Sequence, residues 1–239
     1  MKSFLNLNPE ESITLHKAVY RNALNLKKDA NTIKEINKSY CSATSLLILS
    51  SEEVIKAILV LLHSEGYKVY LLKDAKKFFL DHKIRHEISK LIETGSGLLE
   101  STIKWDEVKD EKLFSTRLNW FNEIANGILN ISKLAQPILD SISHIEHLQI
   151  FDNLKNGGFY VDYYNELLEP SKIVSEHEYY KVEVTIKRIF AFYKVLRIIH
   201  HPSLKKHMSE REIEGLKNNL KVFIKDTLKG YDFKNTPQI

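Results

Sequence analysis

The chain has 239 residues, 43% hydrophobic and 10% aromatic, and its 35 basic against 31 acidic side chains leave a net charge of only +4. That apolar content excludes a disordered chain, the interleaved charges show no basic block of a dedicated nucleic-acid binder, and the single cysteine, Cys41, excludes a disulfide framework or a multi-cysteine zinc site. Eight Gly and five Pro leave few turns, so the elements must be long, which favours helices.

Met1 to Asn8 holds one lysine and no apolar core, unlike a signal peptide. Asn8 is placed to cap a first helix, with Pro9 at its first position and Glu10 and Glu11 at the positive end of its dipole. Leu15, Val19, Ala23, Leu26, Ala30 and Ile33 then recur at steps of three and four, which predicts one apolar stripe. A polar turn at Asn37 and Lys38 leads into a second helix, from Ser39 to about His63. Its Val54–Leu62 run is apolar apart from Lys56 and predicts the most buried part of the fold. The run is far shorter than the roughly 20 residues of a membrane span. With Cys41 expected as a small buried thiol in a reducing compartment, the expected location is the cytosol.

Ser64 to Gly66 breaks the second helix. Helical spacing returns over residues 68–93 (Leu71, Ala75, Phe79, His82, His86), briefly up to Lys104, again at Phe114, Leu118, Phe121, Ala125 and Ile128, and over residues 139–154. Lys155 to Pro170 reads as a loop, with Gly157, Gly158 and a run of aromatic residues. Val182, Ile186, Ile189, Tyr193 and Leu196 mark a further helix that stops at Pro202. The last helix opens on a capping box, Ser209 with Glu212, and runs through Ile213, Leu216, Leu220 and Phe223 to Gly230. Strand-type alternation and internal repeats are missing. The expectation is a single all-α domain over residues 1–239, ordered over about 8–230, a bundle of about six to eight helices built on an N-terminal hairpin.

A hairpin turning near residues 38 and 39 gathers polar groups that are distant in sequence. Asn22, Asn25, Glu52, Glu53 and Lys56 are expected in one layer, with Asp29 further along the first helix. Such a layer is either a structural network, with Glu52 and Lys56 as an i,i+4 pair, or a functional cluster. His82 and His86 share a helical face at a spacing that can chelate a metal, with Glu53 as a conceivable third ligand. The same spacing continues the apolar stripe and suits inward, hydrogen-bonded histidines, or acid–base and phosphate-facing roles with Arg85 as a planar donor. No metal and no cofactor is assigned. His200 and His201 are expected to cap a helix C-terminus, where the dipole favours a partly charged imidazole. Tyr160 and Asp162 belong to a docking surface or a pocket wall. Walker loops, dinucleotide glycine patterns, nucleophile elbows and zinc-protease motifs are missing from the sequence.

Arg21-Asn22-Ala23, Asp29-Ala30, Tyr40 and Ala43, then Glu52-Glu53 with Lys56-Ala57, follow one another in the two opening helices. Phe79, His82 and Arg85 come next, and Gly158-Phe159-Tyr160-Val161-Asp162 with Pro170 follows later. This ordered set, over roughly residues 15 to 200, resembles the AbiV-type abortive-infection family, with Arg85 where the family has lysine. The family is similar to the wider HEPN helical superfamily. Many HEPN proteins are RNases that use Arg and His four to six residues apart, a spacing this sequence lacks.

The resemblance implies an anti-phage, toxin-like effector, dormant until a phage product triggers it, that then arrests host growth or translation. It implies a phage-encoded activator as partner, perhaps the translation machinery or its RNA as target, and a homodimer. Two readings of the site compete: an effector that acts by binding, and an HEPN-like RNase of unusual site in which Glu53, Lys56, His82 and Arg85 do the catalysis. Solvent access to that cluster separates them. A helical regulatory or binding module unrelated to defence is the third alternative.

Overall fold

The computed structural model of the protein describes residues 4–69 and 150–230, together with Phe79, Ser89 and Leu148. These residues are mostly helical, with six α-helices: α1 (Pro9–Thr32), α2 (Tyr40–Ser64), α3 (Phe151–Gly157), α4 (Pro170–Ile173), α5 (Glu176–Ile199) and α6 (Glu210–Gly230). The expected helices between residues 68 and 136 lie outside the described residues, apart from Phe79 and Ser89, which are helical.

The caps follow the sequence closely. The Asn8 side chain accepts from the Glu11 amide at 2.8 Å, and the Glu11 carboxylate accepts from the Asn8 amide at 3.1 Å. Each satisfies a donor that the first helical turn leaves open. At the other end of α1 the helix widens into a π-turn, Ile33–Asn37, and Lys38 reverses the chain at φ 54°. α2 ends where Gly66 takes φ 81°, which lets the Tyr67 amide donate back to Leu62 O at 3.0 Å and the Gly66 amide to His63 O at 3.1 Å. This is a Schellman closure, which needs a residue in the left-handed region. Ser209 and Glu212 form the expected capping box of α6.

The opening hairpin is formed as the sequence predicts: α1 lies antiparallel along α2, and α5 covers both. Tyr40 at the start of α2 donates to Glu176 at the start of α5 (2.8 Å), and Tyr67 beyond the end of α2 meets His200 beyond the end of α5 (3.0 Å). α2 and α5 therefore run parallel. α2 is the middle of the fold: Val54 and Ile55, and every residue from Ala57 to Leu62, are buried. On α5 all five residues of the predicted stripe, Val182, Ile186, Ile189, Tyr193 and Leu196, are fully buried.

α1 buries a stripe rotated from the predicted one. Ala23 and Ala30 are inside, but Ser12, His16 and Tyr20 take the inner positions instead of Leu15 and Val19, which are half-buried. The inner positions are polar because α5 offers them partners. His16 Nδ1 and the Tyr193 hydroxyl lie 2.7 Å apart, and the Tyr20 ring stacks on Tyr193 at 4.1 Å between centroids.

Two departures concern the segment read as a loop from Lys155. α3 continues to Gly157, and a two-stranded hairpin follows, β1 (Asp162–Tyr164) and β2 (Glu166–Leu168). Asn165, at φ 58°, makes its turn. Strands of three residues are too short to display alternation, and asparagine tolerates the left-handed region that the reversal needs.

Candidate functional site

The layer expected across the hairpin divides in two. Successive residues on a helix point about 100° apart, so Glu52 and Glu53 cannot share a neighbour. Glu53 faces α1: its Oε2 accepts from Asn22 Nδ2 at 3.2 Å and its Oε1 is paired with Lys56 Nζ. Both side chains of that ion pair are about one-fifth exposed (Lys56 22%, Glu53 20%), and Asn22 is exposed. Lys56 thus pairs with Glu53 at i,i+3, not with Glu52 at i,i+4.

Glu52 is buried and points the other way, onto α3, where Lys155 Nζ meets its Oε1 at 3.1 Å. The same ammonium reaches Asp152 Oδ1, also at 3.1 Å. Lys155 is itself buried, so a cation is enclosed between two carboxylates, as its desolvation requires. The Ser45 hydroxyl donates to Lys155 O at 2.8 Å, and Gly158 lets α3 lie this close to α2. Asn25 and Asp29 are exposed on α1, and Asn25 does not reach the buried Glu52.

Spacing carried no sign of the role of Lys155, which had been read as the first residue of a loop. The available signal was Asp152 three residues before it, a helical ion-pair spacing, followed by the Gly157-Gly158 pair that permits close approach.

His82, Arg85 and His86 lie outside the described residues. No group of three or more His, Cys, Asp or Glu side chains suited to a metal ion occurs among the described residues. Tyr160 and Asp162 sit at and just before the β-hairpin, and both are exposed; Tyr160 is 67% exposed, which fits a surface and not a pocket wall. The Asp162 carboxylate accepts from the Tyr163 amide at 2.8 Å. Cys41 is half-buried against Val174 O.

His200 and His201 both cap. His200 Nδ1 donates to Leu196 O at 2.8 Å, which leaves Nε2 to accept from the Tyr67 hydroxyl. That arrangement is a neutral imidazole, and burial lowers its pKa, so the dipole-stabilised charge expected there is not realised. His201 accepts from the Ser203 amide and starts the short 3-10 turn Pro202–Lys206.

Chemically, Glu53 is a carboxylate with both oxygens engaged, one by an ammonium and one by an amide. Such a group clamps two helices together. A general base needs a free oxygen aimed at a substrate proton. No helix among the described residues is long and apolar enough to cross a membrane.

The family model HEPN_AbiV, described as AbiV, matches residues 11–191. That range holds α1, α2, the Asn22–Glu53–Lys56 clamp, the enclosed Lys155 and the hairpin with Tyr160 and Asp162. No curated protein and no solved structure matches the chain. The match covers well over half of the sequence, and the chain belongs to the AbiV family of HEPN-domain proteins, a membership that implies abortive infection in defence against phage.

Proposed function

We propose that this protein is an abortive-infection effector that stays dormant until a phage product engages it, then arrests host growth or translation by binding rather than by breaking a bond. The observation that carries the binding reading is the Asn22–Glu53–Lys56 clamp. Its carboxylate is spent on holding α1 to α2, and the Arg–His spacing of HEPN RNases is missing from the sequence.

A protein trigger needs an exposed apolar surface, and the segment around the β-hairpin offers one. Tyr160, Val161, Tyr163 and Leu167 are each more than half exposed. From Asn156 to Ser171 the chain carries Asp162, Glu166 and Glu169 and no Lys or Arg, so charge complementarity favours a basic partner. The HEPN kinship is the support for a homodimer, which sedimentation at two protein concentrations would test.

The functional test is pulse-labelling of protein synthesis in cells that hold the gene, with and without phage. Labelling is expected to continue in uninfected cells and to fall after infection, together with phage yield. Unchanged labelling and unchanged phage yield in infected cells would move the protein to the class of helical binding modules unrelated to defence. The doubly substituted Tyr160→Ser, Tyr163→Ser protein is expected to fold normally and to lose the response.

A further inference from the structure

The inner face of α1 carries a group that the packing leaves unsatisfied. Tyr20 is buried at 8% exposure, yet its hydroxyl has no hydrogen-bond partner. Buried hydroxyls nearly always have one, and leaving one without costs about 1–3 kcal/mol. Its ring lies on Tyr193, whose hydroxyl is already committed to His16.

Beside these three groups stands Arg197, one turn beyond Tyr193 on α5 and half-buried. Its charge reaches all of them: after burial, it is the largest influence on the titration of His16, Tyr20 and Tyr193. Lys17 adds a second positive charge next to His16. No carboxylate figures among the charges acting on His16, Tyr20 or Tyr193, and Arg197 makes no ion pair or hydrogen bond among the described residues. The other half-buried or buried lysines described above, Lys56 and Lys155, each have a carboxylate.

We infer that the crease between α1 and the last turns of α5 is a binding site for a phosphate group, held by the Arg197 guanidinium and the Tyr20 hydroxyl, with Lys17 completing the charge. A planar guanidinium presents two parallel donors to one oxyanion. An orphan hydroxyl supplies a third donor, and two cations match a dianion better than a carboxylate. His16 and Tyr193 are positioning residues, because their mutual hydrogen bond fixes the ring on which Tyr20 stacks. The site is separate from the Glu53 clamp and independent of the effector reading.

The test is calorimetric titration of the full chain at neutral pH and constant ionic strength, with inorganic phosphate and with glycerol phosphate, against a chloride blank. Saturable binding of at least one is expected. Arg197→Gln and Tyr20→Phe should each weaken it by about ten- to a hundredfold, the worth of a hydrogen bond to a charged group. Without ligand, Tyr20→Phe should melt no lower than the parent, since it removes only an unpaired hydroxyl; that variant keeps the result readable if Arg197→Gln folds poorly. Tighter binding of glycerol phosphate would identify an organic phosphate monoester as the ligand, and equal binding would identify the free ion. Absence of binding by both probes, or affinity unchanged in Tyr20→Phe, overturns the assignment.

Discussion

Gly158 and Gly215 carry opposite expectations, because one has a neighbour where a side chain would go and the other has open space. A Cβ on Gly158 would stand 2.3 Å from Ser45 Oγ and 2.6 Å from Cys41 O, and the second of these is backbone that cannot step aside. Gly158→Ala should therefore cost about 1–3 kcal/mol by forcing α3 away from α2. Gly215 lies inside α6 with nothing within 4 Å of its Cβ position, so Gly215→Ala should gain about 0.5–1 kcal/mol. Urea unfolding of the two variants beside the parent checks both signs.

His16 sets a pH dependence at the same scale. Burial, then the positive charges of Arg197 and Lys17, lower its pKa to about 4 from the ordinary 6.5. Between those values the unfolded chain binds a proton that the folded chain refuses, so stability rises with pH through that window. It is complete above about pH 6.5 and is lost as pH falls towards 4. His200, also lowered by burial, acts in the same direction. His16→Gln should leave a shallower acid limb in unfolding free energy against pH, with the remainder due in part to His200. An unchanged limb would show that His16 is not held neutral in the folded protein.

Between elements, the two ion pairs of α2 differ in what their loss should do. Lys155 is enclosed by Glu52 and Asp152, so Lys155→Met would leave a buried carboxylate without its cation, at a cost of about 3–5 kcal/mol. Lys56 is about one-fifth exposed and bonded to a carboxylate that is equally exposed; Lys56→Ala should cost no more than about 1 kcal/mol. Thermal melting of the two variants gives the ranking. If the Lys56→Ala protein stays folded and still loses protection against phage, the clamp has a role beyond structure.

The elements legible in the sequence were those whose information is local. Asn8 with Glu11, Gly66 after α2, Ser209 with Glu212 and the 182–196 stripe of α5 each act within one or two turns, and each is where local chemistry puts it. What was not legible depends on partners far along the chain. His16 and Tyr20 read as outer residues until Tyr193, 177 and 173 positions away, supplies a hydrogen bond and a stacking face. Glu52 and Glu53 read as one cluster until α3 draws the first to one side and α1 draws the second to the other.

For the whole molecule, a buried α2 enclosed by α1, α3 and α5 gives a rigid frame, and the exposed polar and aromatic groups lie at its edges. The frame and the family match agree on a phage-defence protein. The central claim is that its action is to bind. Total RNA from infected cells, run at the time when protein synthesis has stopped, tests that most directly. Intact ribosomal, transfer and messenger RNA under arrested synthesis is the predicted result, and discrete cleavage products that appear only with the active protein would contradict it.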